Sequence, residues 1–110
     1  MIHQLRIYRI NPNLKVEFDA RFRDHASRIM KTYDFKIIDM WYSEFEGNTE
    51  FVYILQWLNE ETMHRQWNAF MTDAEWKEIK NQSCEAHGEI VLTKVRDQVL
   101  VDTDWFRNGR

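Results

Sequence analysis

The sequence predicts an α+β domain whose elements run strand, helix, strand, strand, helix, strand. Three observations carry that expectation. Leu14, Phe18, Phe22, Ala26, Ile29 and Met30 recur at the spacing of one helix face, and so do Met63, Trp67, Phe70 and Met71 further on. Residues 2–10, 35–45, 51–58 and 89–95 instead show alternation or short apolar runs of strand length. Asn11-Pro12, Glu46-Gly47-Asn48-Thr49, Asn59 and Gly88 punctuate the chain between these segments.

In the first strand, His3, Leu5 and Ile7 alternate with Gln4, Arg6 and Tyr8, giving one apolar face and one mixed face. Asn11 is a helix N-cap followed by proline at the first helical position, where the missing N–H costs nothing. The helix that starts there turns Lys15, Arg21 and Asp24 away from its apolar stripe and ends around residues 32–34. Residues 35–45 form the second strand, with Phe35, Ile37 and Trp41 on one face and Ile38, Met40 and Tyr42 on the other. A hairpin turn leads to the third strand, which is apolar on both faces. Asn59, backed by Glu60 and Glu61, opens the second helical region. Thr72-x-x-Glu75 has the form of a capping box, which predicts a break near Thr72 and a further helix carrying Trp76 and Ile79. Gly88 closes that helix, and Glu89 to Val95 make the fourth strand, with residues 99–101 either extending it or adding a short piece after a turn at Asp97. Residues 3–105 form a single domain, and 106–110 a loose C-terminal tail.

Composition narrows the class. A chain of 110 residues is long enough to bury a core without a metal or disulfide staple. Its lone Cys84 has no partner within the chain, suits a reducing compartment, and in a helical stretch is expected to be a small core residue. The net charge of −3, with Lys and Arg scattered among Asp and Glu, argues against nucleic acid or an anionic membrane as principal partner. The N-terminus lacks the basic head and apolar run of a signal peptide, and no stretch has the length of a membrane span, so a soluble cytoplasmic protein is expected. Aromatic residues make up 15% of the chain, with five Trp, so rings must fill a core, a subunit interface or a ligand pocket.

The element order is the ferredoxin-like βαββαβ arrangement, in which the first and third strands lie centrally and the helices cover one face of an antiparallel sheet. The second and third strands nevertheless offer apolar residues on both sides, and water would meet one of those sides. A second copy, sheet against sheet, is the simplest cover, which makes the expected assembly a homodimer and the fold a dimeric α+β barrel. Either Ile38, Met40, Tyr42, Val52 and Ile54 or the alternate set Trp41 and Tyr53 would face the partner.

Several residues extend the picture beyond fold class. Leu5-Arg6-x-Tyr8 with Asn11-Pro12, Trp41, Val52-Tyr53-Ile54-Leu55-x-Trp57, Arg65, Phe70-x-x-Asp73-x-x-Trp76 and Asp102-Thr103-Asp104-Trp105 resemble the NIPSNAP family of dimeric α+β barrels. The likeness runs from about Leu5 to Trp105, with Asn13 and Asp39 standing where the family favours glycine and Trp105 where phenylalanine is usual. It implies a small-molecule-binding or interaction protein without an assigned reaction. Because related barrels include small-molecule monooxygenases and haem-degrading enzymes, it also implies an alternative, a cofactor-independent or haem-dependent monooxygenase.

Candidate site residues are few. His3, His25, His64 and His87 show no close metal-ligand spacing, so no metal site is expected. His25 lies at the edge of the first helix's stripe, and a partly exposed helix histidine is the favoured reading over a general base. Tyr8 is the other candidate for moving protons. Arg6 and Tyr8 share the mixed face of the first strand, assigned to the interior or mouth of the barrel, where Glu50 or Asp39 would pair with the arginine. Arg6, Trp41, Trp57, Trp67, Phe70 and Trp76 are the candidates for lining a pocket for a small apolar or aromatic ligand, although an aromatic stripe is more often core or interface. With three Gly in the chain and no glycine-rich loop, a nucleotide cofactor is not expected, and haem enters only under the monooxygenase alternative.

Overall fold

Four antiparallel strands carry the fold in a computed structural model that describes residues 1–106. They are β1 (Ile2–Ile10), β2 (Lys36–Phe45), β3 (Asn48–Trp57) and β4 (Val91–Val101), paired in the order β2-β3-β1-β4. This is the ferredoxin-like order with β1 and β3 central. The tail expected at 106–110 lies, beyond Phe106, outside the described residues.

The first helical region is not one regular helix. Asn11 Oδ1 accepts from the Asn13 N–H, Pro12–Leu14 form a 3₁₀ turn, and α1 (Lys15–Arg21) follows. A π turn, Phe22–Ala26, then leads into α2 (Ser27–Thr32), and the Ser27 N–H reaches five residues back to the Phe22 carbonyl. That extra residue keeps Phe18, Phe22, Ala26, Ile29 and Met30 all buried against the sheet.

The β2–β3 hairpin closes through two residues, Glu46 (φ 52) and Gly47 (φ 78), both in the left-handed region that such a tight turn requires. Asn48 therefore pairs directly with Phe45, and β3 begins three residues before the expected Phe51. A bulge between Ile37 and Asp39 overturns the expected facing of β2. One extra residue exchanges the faces downstream of it. Phe35 and Ile37 point to the helices before the bulge, and Tyr42 does so after it, against Phe18 and Phe51. Met40 stands opposite Tyr53 on that side, while Trp41, opposite Val52, stands on the other. The partner-facing sets read from the sequence thus mix the two faces. Ile38, Trp41, Val52 and Ile54 share the helix-free face with Leu5, Ile7 and Leu100, and there Ile38 and Trp41 remain 46% and 47% exposed.

Asn59 Oδ1 accepts from the Thr62 N–H and starts α3 (Glu60–Met71), which stops at Thr72 as the sequence implies. The cap of the next helix is displaced by one residue. Asp73 is the N-cap of α4 (Ala74–His87), its Oδ1 accepting from the Trp76 N–H at 2.8 Å and its Oδ2 from the Tyr33 hydroxyl at 2.6 Å. The Thr72 hydroxyl instead donates back to the Asn68 carbonyl, finishing α3. Gly88 (φ 77) ends α4, and β4 runs unbroken to Val101 with two register irregularities rather than turning at Asp97. Cys84, expected in the core, is exposed on α4. No helix among the described residues is long and apolar enough to cross a membrane.

The core lies between helices and sheet. Phe51, Tyr53, Leu55 and Trp57 of β3 are almost fully buried under Phe18 and Phe22 at one end and Phe35, Met63 and Phe70 at the other. Trp76 stacks on Phe70 at 5.1 Å between ring centres.

In urea unfolding, Asp73→Ala should cost about 1 kcal/mol and Thr72→Ala clearly less, because the cap is the aspartate. Trp76→Ala should cost roughly 3–5 kcal/mol. The Tyr33 hydroxyl and the Trp76 N–H hold the Asp73 carboxyl below its ordinary 3.8, so its contribution is complete above that value and fades as pH falls through the lower folded one. Asp73→Asn should therefore lose less stability than the unaltered chain between about pH 5 and about pH 3.

Candidate functional site

Every second residue of β1 points under the helices, and the middle ones are polar: Gln4, Arg6 and Tyr8. The mixed face of β1 is therefore the helix-covered face, not the barrel interior to which Arg6 and Tyr8 were assigned. The carboxylate that meets Arg6 is likewise neither Glu50 nor Asp39. Arg6 stands opposite Asp97 in the β1–β4 register, and its Nη1 donates to Asp97 Oδ2 at 2.8 Å. Asp39 falls beyond the β2 bulge, and Glu50 lies 3.8 Å from Arg9 instead.

Around the Arg6 guanidinium the remaining donors are engaged as well. Its Nε lies 2.9 Å from both the Tyr8 and the Tyr53 hydroxyl oxygens, and its Nη2 donates to Tyr8. The two hydroxyls are 2.8 Å apart, and the Trp67 ring lies 4.0 Å from the guanidinium carbon. Burial works against the charge on Arg6, but Tyr53, Tyr8 and Asp97 outweigh it and raise its pKa. Burial pushes the Tyr53 hydroxyl well above its ordinary value, so that phenol stays protonated. Gln4 completes the network. Its side-chain oxygen accepts from the indole N–H groups of Trp57 at 2.9 Å and Trp67 at 2.7 Å, while its nitrogen donates to Asp97 at 2.7 Å.

Beside this network the helices and sheet enclose a cavity of about 210 Å³. Arg6 and Tyr8 stand at its polar end, and Phe18, Phe22, Ala26, Met30, Phe70 and Trp76 form apolar walls. Arg21 and Lys80 also line it, each 5.8 Å from the centre of the Trp76 ring. Burial lowers the pKa of both cations, and Arg21 adds its repulsion to Lys80.

Of the candidates read from the sequence, the cavity gathers Arg6, Tyr8, Trp67, Phe70 and Trp76. Trp41 is on the opposite face of the sheet, and Trp57 is a core ring against Phe35. His25 faces a groove between the first helical region and α4, with its Nδ1 3.4 Å from Arg28, and is not a cavity residue. Gln4, Arg21, Tyr53, Lys80 and Asp97 were missed. Arg21 and Lys80 had a signal: each sits one helical turn beyond a stripe aromatic, Phe18-x-x-Arg21 and Trp76-x-x-x-Lys80. No cluster of three or more His, Cys, Asp or Glu among the described residues has the geometry to hold a metal.

The NIPSNAP family model matches residues 3–107. The chain belongs to the NIPSNAP family. No curated protein matches it significantly. Among solved structures, this NIPSNAP chain is similar to an uncharacterised NIPSNAP-like domain protein from Burkholderia xenovorans, with 18% identity, a TM-score of 0.78 and coverage of 94% of this chain and 86% of that one. A NIPSNAP family protein from Agrobacterium tumefaciens gives 16% identity and a TM-score of 0.80 over 99% and 98% of the two chains. An antibiotic biosynthesis monooxygenase gives 10% identity and a TM-score of 0.52 over 93% and 97%. Likeness at such identities establishes the fold alone.

Replacing Gln4 by Leu should cost about 2–4 kcal/mol in urea unfolding, since two buried indole N–H groups lose their acceptor at once. Gln4→Glu keeps the acceptor but sets a second carboxylate against Asp97, so it should not rescue the loss.

Proposed function

We propose that this NIPSNAP domain binds a small flat apolar or aromatic molecule between its helices and sheet, and that it works as a homodimer. The observation that carries the reading is the cavity itself: ring-lined walls beside a fully engaged Arg6–Tyr8–Tyr53 cluster, which is the apolar body and few polar groups typical of ligand pockets. At about 210 Å³ it lies below the roughly 300–1,000 Å³ of pockets for drug-sized ligands, so a molecule of about one ring fits. That space is small for a haem, and the described residues that line it include Tyr8 but no His or Cys, which supports binding of a smaller molecule. With His25 outside the cavity, Tyr8 is the remaining proton-handling candidate of the monooxygenase alternative, and no feature of the site favours oxygenation over binding.

The dimer rests on the helix-free face. Leu5, Ile7, Ile38, Trp41, Val52, Ile54 and Leu100 form an apolar surface there, and a partner's sheet laid against it is the arrangement that would remove it from water. A stable interface of this kind would bury about 1,600 Å² in total.

Indole is expected to bind saturably in a calorimetric titration, and Ala26→Leu should abolish that binding by filling the space. Sedimentation at micromolar concentration should give a dimer, and Ile54→Asp or Ile38→Asp should leave an unstable monomer. A stable, compact monomer of the unaltered chain would refute the assembly.

A further inference from the structure

The wall of the cavity carries positive charge that no carboxylate among the described residues neutralises. Arg6, Arg9, Arg23 and Arg28 each meet a carboxylate. Arg21 and Lys80, both partly buried at the cavity, enter no ion pair among the described residues, and Arg21 is seen only 3.4 Å from the Ser83 hydroxyl. Among the described residues no carboxylate lines the cavity. Two like charges beside one apolar hollow repel each other and lose hydration, and the described residues set against this the Trp76 ring, its centre 5.8 Å from each, and the Ser83 hydroxyl beside Arg21, but no carboxylate. Such an arrangement is relieved by an anion.

Arg6 does not fill that role, because its Nε, Nη1 and Nη2 are already held by Tyr8, Tyr53 and Asp97. Arg6 is charge-balanced, and Arg21 and Lys80 are not. The same cavity is walled by the rings of Phe18, Phe22 and Trp76, and its volume of about 210 Å³ suits a single ring bearing an acidic side chain. Building on the small-molecule reading above, we infer that the ligand is a small aromatic carboxylic acid. Its ring lies against Phe18, Phe22 and Trp76, and its carboxylate is held by Arg21 and Lys80.

Phenylacetate and phenylacetamide, nearly equal in shape and different in charge, test this by calorimetric titration at low salt. Phenylacetate should bind roughly tenfold or more tightly than the amide, the contribution of charge-assisted hydrogen bonds. The double variant R21Q/K80Q should bring phenylacetate down to the level of the amide and weaken the amide far less than the acid. Equal binding of both probes by the unaltered protein would overturn the charge inference while leaving small-molecule binding intact. Equal weakening of both probes in a folded double variant would overturn it too, making the two cations mere wall. Failure of the unaltered protein to bind phenylacetate, phenylacetamide or indole would remove the small-molecule reading and the inference with it. The first comparison needs no variant, so it decides even where R21Q/K80Q does not fold.

Discussion

A buried guanidinium on the central strand is the constraint around which this domain is arranged. Arg6 emerges from β1 into the layer where sheet meets helices, a position that in most sheets of this order would take an aliphatic side chain. A cation there is tolerable only if it is paired and hydrogen-bonded, and the groups that hold its three nitrogens come from three strands: Tyr8 on β1, Tyr53 on β3 and Asp97 on β4. Trp67 closes the cluster from α3 by lying over the guanidinium, and Gln4 fixes that ring by its indole N–H. Each partner therefore orients another. The network couples α3 to the sheet and the edge strand β4 to the centre, a polar counterpart to the aromatic packing on β3.

The same network explains why a hollow exists next to it. Its groups are held in fixed directions by one another, and the rigid rings of Phe18, Phe22 and Phe70 leave part of the space beside them unfilled. The π turn contributes as well. By inserting a residue between α1 and α2 it presents both Phe22 and Ala26 to the cavity, one large and one small.

Element order, strand order, the helix break and the caps at Asn11 and Asn59 were legible because each rests on local patterns of spacing and turn chemistry. What was not legible is instructive. The facing of β2 was inverted past Ile38 by a bulge, and one residue of slip leaves no trace in alternation when both faces are apolar. The mixed face of β1 reads from the sequence as the interior or mouth of the barrel, because nothing local shows which groups would meet Gln4, Arg6 and Tyr8. Only the long-range pairing with Asp97, 91 residues away, and the two indoles make them buriable together. For Thr72 the capping-box pattern competed with an aspartate one residue later, which also accepts from the Tyr33 hydroxyl, a contact no local pattern contains. Apart from Arg6–Tyr8, the side-chain pairs of the site network are all such non-local pairings.

The irregularities of the two edge strands have a consequence for how copies of this chain can meet. β2 is kinked at Ile38, and β4 loses register twice while carrying Lys94, Arg96 and Asp97 along its length. Bulged, charged borders are poor templates for another strand, so the row of free backbone groups that invites endless lateral stacking is interrupted on both sides. The flat apolar side of the sheet has no such guard, and contact through it ends once two copies have met. Growth into fibres is thus discouraged at the borders, while a closed pair is left open at the face.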